Sequence, residues 1–161
     1  MKKSFLVIAF MAALIVLLTV QSAAAQGKLQ GVWKITEITI SGPNAKTIPA
    51  TSPNLIIFTK KHFSLVSITG ESRPNLPQKD ATDAQKVATW TPFAAVSGTY
   101  TVKGTTFTAQ AFVAKDPSGM APGNFVTYDF KIVGNTLIAT PKASQDGPIT
   151  NPPSVKLTRL E

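Results

Sequence analysis

The side chains able to do acid–base, nucleophilic or metal chemistry are few and scattered. The chain has no cysteine and one histidine, His62. A catalytic imidazole needs a nucleophile or a carboxylate beside it. His62 instead follows Lys60-Lys61, which reads as a tight turn, so a solvated turn residue is expected. One histidine without thiolates offers little to a transition metal. The acids are Glu37, Glu71, Asp80, Asp83, Asp116, Asp129, Asp146 and Glu161, and no two share a strand face at paired spacing. The glycines of the turn-rich run from Asp116 to Gly123 do not open a helix, so no phosphate cradle is expected. What remains is Tyr100 and Tyr128, the arginines Arg73 and Arg159, and the aromatic residues around them. That is chemistry suited to binding, and the expectation is a protein that is not an enzyme and carries no metal or cofactor.

These residues must be positioned by strands. Val126, Tyr128, Phe130 and Ile132 share one face of a run whose other face is Thr127, Asp129 and Lys131. Phe107, Ala109, Ala111 and Val113 alternate with Thr106, Thr108 and Gln110, and Tyr100 and Val102 with Thr99, Thr101 and Lys103. Strict alternation of this kind marks half-buried strands. Ala109 and Ala111 leave space on the inner face, where the hydroxyls of Tyr100 and Tyr128 can meet a ligand. Small inward residues also fit the taper of a small barrel, so a side-chain-filled interior stays open as the alternative.

Eight strands are predicted, near residues 28–40, 54–59, 62–69, 97–102, 105–114, 124–133, 136–140 and 154–160. One short helix is predicted between strands three and four. Its start is the capping box Thr82-Asp83-Ala84-Gln85, and Pro92 ends it near Trp90. Lys60-Lys61, Lys103-Gly104 and Gly134-Asn135 form two-residue turns, the last suited to a tight hairpin. The other connections, 41–53, 70–96, 115–123 and 141–153, are long. In an up-and-down sheet alternate connections lie at opposite ends, so the pattern describes a cup with a closed base and a looped mouth. Trp33 opens the first strand at the base and Arg159 ends the last one there, so guanidinium and indole are expected to meet and close the sheet on itself. At the mouth, Arg73 can pair with Glu71 or hold a ligand carboxylate, and Trp90 and Phe93 can form a lid or anchor the helix to the barrel.

Residues 1–25 read as a secretion signal. Lys2 and Lys3 precede an apolar run from Phe5 to Val20, and Ser22-Ala23-Ala24-Ala25 offers small residues for cleavage before Gln26. The run is shorter than the roughly 20 residues that span a bilayer. Residues 26–161 then form one domain, secreted or periplasmic, with no stable membrane anchor once the signal is cleaved. The whole chain carries a formal charge of +8, which falls to +6 without Lys2 and Lys3. The basic residues are mostly single and spread along strands, unlike the patch or stripe of a nucleic-acid binder, so no nucleic-acid partner is expected.

Gly31-Val32-Trp33 on the first strand with Arg159 on the last resembles the signature of the lipocalin-like, or calycin, group. Gly98-Thr99-Tyr100 after a helical insertion is similar to bacterial lipocalin-like domains. The resemblance implies an all-β fold, an eight-stranded antiparallel up-and-down barrel, with a small hydrophobic molecule held in its lumen. The expected ligand-binding residues of lumen and mouth are Tyr100, Phe107, Tyr128, Phe130, Arg73 and Trp90, with Gly31, Trp33 and Arg159 as the structural signature. The leading expectation is thus an exported binding protein for a small hydrophobic or amphipathic ligand. An envelope module that meets a protein partner with a filled barrel is the alternative, and a lumen-based isomerase or cyclase stands third.

Overall fold

The computed structural model describes residues 25–70, 73–77 and 79–161. The expected signal, Ala25 apart, and Glu71 lie outside the described residues. The elements run β1 (Gly31–Ile40), β2 (Lys46–Pro49), β3 (Asn54–Phe58), β4 (His62–Ile68), α1 (Asp83–Trp90), β5 (Phe93–Lys103), β6 (Thr106–Ala114), β7 (Val126–Val133), β8 (Thr136–Ser144), β9 (Gly147–Pro148) and β10 (Ser154–Arg159), with a 3₁₀ turn at Pro117–Met120. Eight of these strands close an antiparallel barrel in the order β1, β3, β4, β5, β6, β7, β8, β10, because β10 pairs with both β1 and β8. Closure leaves the barrel without a sheet edge of its own.

The placement of the helix differs from the expectation of one between strands three and four. It follows the fourth strand of the chain, β4, and precedes β5. The connection 41–53 is the reason, since Lys46–Pro49 within it forms β2 against the outer half of β1. β1 therefore changes partner along its length, pairing with β3 only from Gly31 to Trp33 and with β2 from Glu37 to Ile40. The Asn54 amide bridges the gap: its Oδ1 accepts from the Ile35 N–H at 2.6 Å and its Nδ2 donates to the Ile35 carbonyl at 3.1 Å. One side chain thus satisfies both backbone groups that the diverging strand would leave unpaired.

The turns sort as a cup requires. β5 and β6 are joined by Gly104-Thr105 and β7 and β8 by Gly134-Asn135, with Gly104 at φ +60° and Gly134 at φ +56°. These are the positive angles that tight hairpins demand and glycine adopts without strain. The β3–β4 turn is held by the Thr59 N–H, which donates to the His62 carbonyl at 2.8 Å. The connections at the other end hold β2, α1, the 3₁₀ turn and β9. The expected capping box starts α1: the Thr82 hydroxyl accepts from the Gln85 N–H, and the Gln85 amide oxygen accepts from the Thr82 N–H at 2.9 Å.

The core occupies the base half of the barrel. Trp33, Leu29, Leu137 and Leu157 are fully buried, and Ile56, Phe58, Tyr100 and Phe107 are nearly so. Each large side chain of this kind stabilises the fold by roughly 1.5–3 kcal/mol relative to exposure. Phe58 packs edge-on against Tyr100 at 5.3 Å and against Phe107 at 5.8 Å. The Tyr100 hydroxyl donates to the Thr59 carbonyl at 2.7 Å, pinning the β3–β4 turn to the floor of the cup.

Three irregularities break the alternation of facing. The ladders skip Thr36 on β1, Phe112 on β6 and Lys142 on β8. The bulge at Phe112 turns Val113 outward, opposite Ser97, where it is 53% exposed, so the inward series of β6 ends at Ala111 and does not reach Val113. Gly98 makes this bulge possible, since a Cβ there would overlap the Gln110 carbonyl and the Ala111 Cα. The bulge at Lys142 sets Pro141 opposite Tyr128, so β8 runs past a proline at which a regular strand was expected to stop.

Candidate functional site: the barrel lumen

The base of the lumen is sealed by the first and last strands. Trp33 pairs with Arg159 across β1 and β10, and the guanidinium lies over the indole, 4.0 Å from the ring centroid. Arg159 donates to the Lys28 and Gln30 carbonyls, and Trp33 Nε1 donates to the Leu29 carbonyl at 2.8 Å. Residues 25–29 are helical, so these contacts cap the carbonyl end of a helical turn with a cation and an indole N–H. For that reason the first strand begins at Gly31 and not near residue 28. Gly31 has φ +129°, and a Cβ on it would overlap the Glu161 carbonyl. The three expected signature residues therefore act together as the plug of the cup.

Above this floor lies a cavity of about 390 Å³. Phe58, Phe107, Leu137 and Leu157 form its lower wall, Ala109, Ala111 and Ala139 its waist, and Phe125, Pro141 and Pro153 its upper wall near the mouth loops. The space exists because the waist positions are alanines. Small-molecule sites span about 300–1,000 Å³, and an eight-stranded barrel has room for one small ligand. Among the described residues no charged one lines the cavity, and Tyr128 and Asn124 are its hydrogen-bonding side chains.

The expected site residues separate into two groups. Phe107 and Tyr128 line the cavity, stacked with centroids 4.7 Å apart and planes at 13°. Phe130 does not line the cavity but packs against Phe107, with centroids 5.8 Å apart, in the surrounding core. Tyr100 lies below the cavity in the core, with its hydroxyl committed to Thr59. Arg73 and Trp90 sit at the helix and do not line the cavity. Arg73 Nε donates to the Thr89 carbonyl at 3.0 Å, and its guanidinium lies 5.2 Å from the Phe93 ring centroid. Trp90 is 55% exposed, 6.0 Å from Phe93, with Lys115 Nζ 5.4 Å from its centroid. Both residues hold α1 to the start of β5. His62 sits at the foot of β4, exposed, with its ring 6.2 Å from the outward-facing Phe112.

Burial pushes the Tyr128 and Tyr100 phenols above their ordinary pKa near 10, so both are neutral at pH 7. Asp116, whose carboxylate caps the 3₁₀ turn at the mouth, is held below the ordinary carboxylate range by hydrogen bonds from the Ser118 N–H and hydroxyl.

A sequence model described as lipocalin-like domain matches residues 30–149. The chain belongs to the lipocalin-like domain family. The match takes in Gly31, Trp33 and every waist alanine, while Arg159 lies beyond its end. No curated protein matches the chain. Among solved structures, the chain is similar to a crystal structure of an uncharacterized protein from Bacteroides eggerthii DSM 20697, at 8% identity and a TM-score of 0.45, covering 81% of this chain and 98% of that one.

Within this lipocalin-like domain, several lining residues escaped sequence reasoning: Phe63, Leu65, Asn124, Phe125, Ala139 and Pro153. Phe63 and Leu65 alternate with outward Ser64 and Val66, and that signal alone places them inside. Phe125 and Pro153 lie in the mouth connections, whose path no periodicity reports.

Proposed function

We propose that this lipocalin-like domain is an exported, non-enzymatic binding protein that holds a small hydrophobic or amphipathic molecule in the barrel. The observation that carries the reading is the apolar cavity of about 390 Å³ between the sealed base and the mouth loops. Transfer of an apolar ligand out of water into such a wall contributes about 25 cal/mol per Å² of surface removed. Residues 1–25 have the composition of a secretion signal, which supports a secreted or periplasmic site of action. Among the described residues no helix is long and apolar enough to cross a membrane.

The test fills the waist. Ala109→Phe and Ala139→Phe each place a ring where the cavity lies. Binding of an apolar fluorophore such as N-phenyl-1-naphthylamine should be lost in both variants while their circular dichroism and cooperative unfolding are kept. Unchanged binding in both folded variants would remove the lumen as the site.

A second reading, an envelope module that meets a protein partner, is favoured by one observation. Leu55, Val66, Phe112 and Val113 are exposed apolar residues on the outer face of the adjacent strands β3 to β6. Exposed apolar patches of this kind mark interaction surfaces. Capture of a specific envelope protein by the wild type and not by Phe112→Ser, with fluorophore binding equal in the two, would support it.

A further inference from the structure

The wall of the cavity narrows the ligand class. We propose that the lumen selects an uncharged ligand, an apolar skeleton with one hydrogen-bonding group such as an alcohol, ketone or ester, and rejects the carboxylate or ammonium analogue of the same skeleton. The inference rests on the carrier reading of the lumen and adds the polarity of the cargo.

Three observations carry it. First, among the described residues none that lines the cavity is charged, so a buried ion would meet no counter-charge from them. Desolvating an unpaired ion is far more costly than desolvating a neutral hydroxyl or carbonyl. Second, Lys115, Arg73 and Lys142, three of the cations placed around the mouth, are engaged elsewhere. Lys115 Nζ donates to the Trp90 and Thr91 carbonyls at 2.7 and 3.0 Å. Arg73 is spent on Thr89 and the Phe93 ring, and Lys142 pairs with Asp129 at 3.2 Å. Third, the two polar side chains of the wall differ in their commitments. Asn124 Nδ2 donates to the Ser118 carbonyl at 2.9 Å. The Tyr128 hydroxyl makes no hydrogen bond to any described residue, whereas that of Tyr100 is bound to Thr59. Tyr128 is stacked on Phe107, which fixes its ring. A tyrosine phenol is protonated at neutral pH, and burial raises this one's pKa further, so it offers one O–H donor and one neutral acceptor.

Competition against N-phenyl-1-naphthylamine at pH 7.5 tests the proposal, with the protein purified from an exporting host without denaturation. The probes are 1-decanol, decanoate and decylamine, which share a chain and differ at the head, and naphthalene, which has no polar group. 1-Decanol is expected to bind at least about tenfold more tightly than decanoate or decylamine, a ratio equal to about 1.4 kcal/mol. Tyr128→Phe should weaken 1-decanol by about threefold to tenfold, the value of one hydrogen bond, and leave naphthalene unchanged. Decanoate or decylamine binding as tightly as 1-decanol overturns the neutral-ligand inference and leaves the carrier reading standing. An equal loss for 1-decanol and naphthalene in Tyr128→Phe removes the hydroxyl's role. Absence of fluorophore binding and of displacement by any probe overturns the carrier reading itself.

Discussion

Replacing Arg159 by methionine removes the charge and the planar donor fork from the base of the barrel and keeps most of the apolar stem. The guanidinium stands 4.0 Å from the centroid of Trp33, whose side chain is fully buried. Arg159 is half-buried, and a cation–π contact of this kind contributes about 1–2 kcal/mol. Arg159 also donates to the carbonyls of Lys28 and Gln30. Hydrogen bonds from a charged donor contribute about 1.5–3 kcal/mol each. The exposed Lys28 carbonyl recovers water when its partner is lost, so one such bond at most should be counted in full. The expected loss is therefore about 3 kcal/mol for Arg159→Met. Arg159→Lys keeps the charge but not the fork or the stacking plane, and about 1–2 kcal/mol should be lost. Urea denaturation followed by Trp33 fluorescence, in a Trp90→Phe background, reads both variants. With a slope of about 1–3 kcal/mol per M for a domain of this size, the midpoint of the methionine variant should fall by about 1–3 M at unchanged slope. A loss below about 0.5 kcal/mol would refute the argument that this contact closes β1 onto β10.

Further outcomes follow from the same geometry. Gly98→Ala drives a Cβ into the backbone at Gln110 and Ala111, and a loss of at least about 2 kcal/mol is expected by chemical denaturation; a neutral result would contradict the bulge. Phe112→Ser should change stability by less than about 0.5 kcal/mol, because the side chain is 60% exposed. Glu37→Gln breaks the 2.7 Å pair with Lys156 on a partly exposed face, where about 0–1 kcal/mol is at stake, and the difference should shrink in high salt. The pH dependence has two arms. The raised phenols of Tyr100 and Tyr128 favour the neutral form in the fold, so their contribution is complete below pH 10 and is lost as pH climbs through their folded-state pKa values. Alkaline unfolding by circular dichroism should therefore move to higher pH in Tyr128→Phe. The depressed Asp116 acts in the opposite direction, with its contribution present above the ordinary carboxylate pKa and lost as pH falls through its folded-state value; NMR titration should show its pKa rising in Ser118→Ala.

The barrel was legible in the sequence because its signals are local. Alternation along β6 and β7 and glycines at the tight turns each point to the same cup. Gly31, Trp33 and Arg159 could be joined across the chain because an up-and-down order returns the last strand to the first. Bulges were not legible, since a skipped residue such as Phe112 has no side-chain signature and shows only through Gly98, the glycine that lets its partner strand approach. β2 was missed because Lys46–Pro49 is short, fully exposed and contains a proline, so no periodicity distinguishes it from a loop. Alternation could place Tyr100 and Tyr128 on inner faces but could not rank them by height in the barrel. One hydroxyl lies in the floor and the other at the cavity because of where each strand starts. Arg73 and Trp90 depend on how α1 docks, which is set by contacts with Phe93 and Lys115 that are distant from any repeating pattern.

The most direct test of the lumen as the binding site is methyl NMR of the protein during titration with 1-decanol. Shifts confined to Ala109, Ala139, Leu137 and Leu157, saturating together, are the predicted result. Shifts confined to the outward Leu55, Val66 and Val113, with the lumen methyls unmoved, would contradict the account.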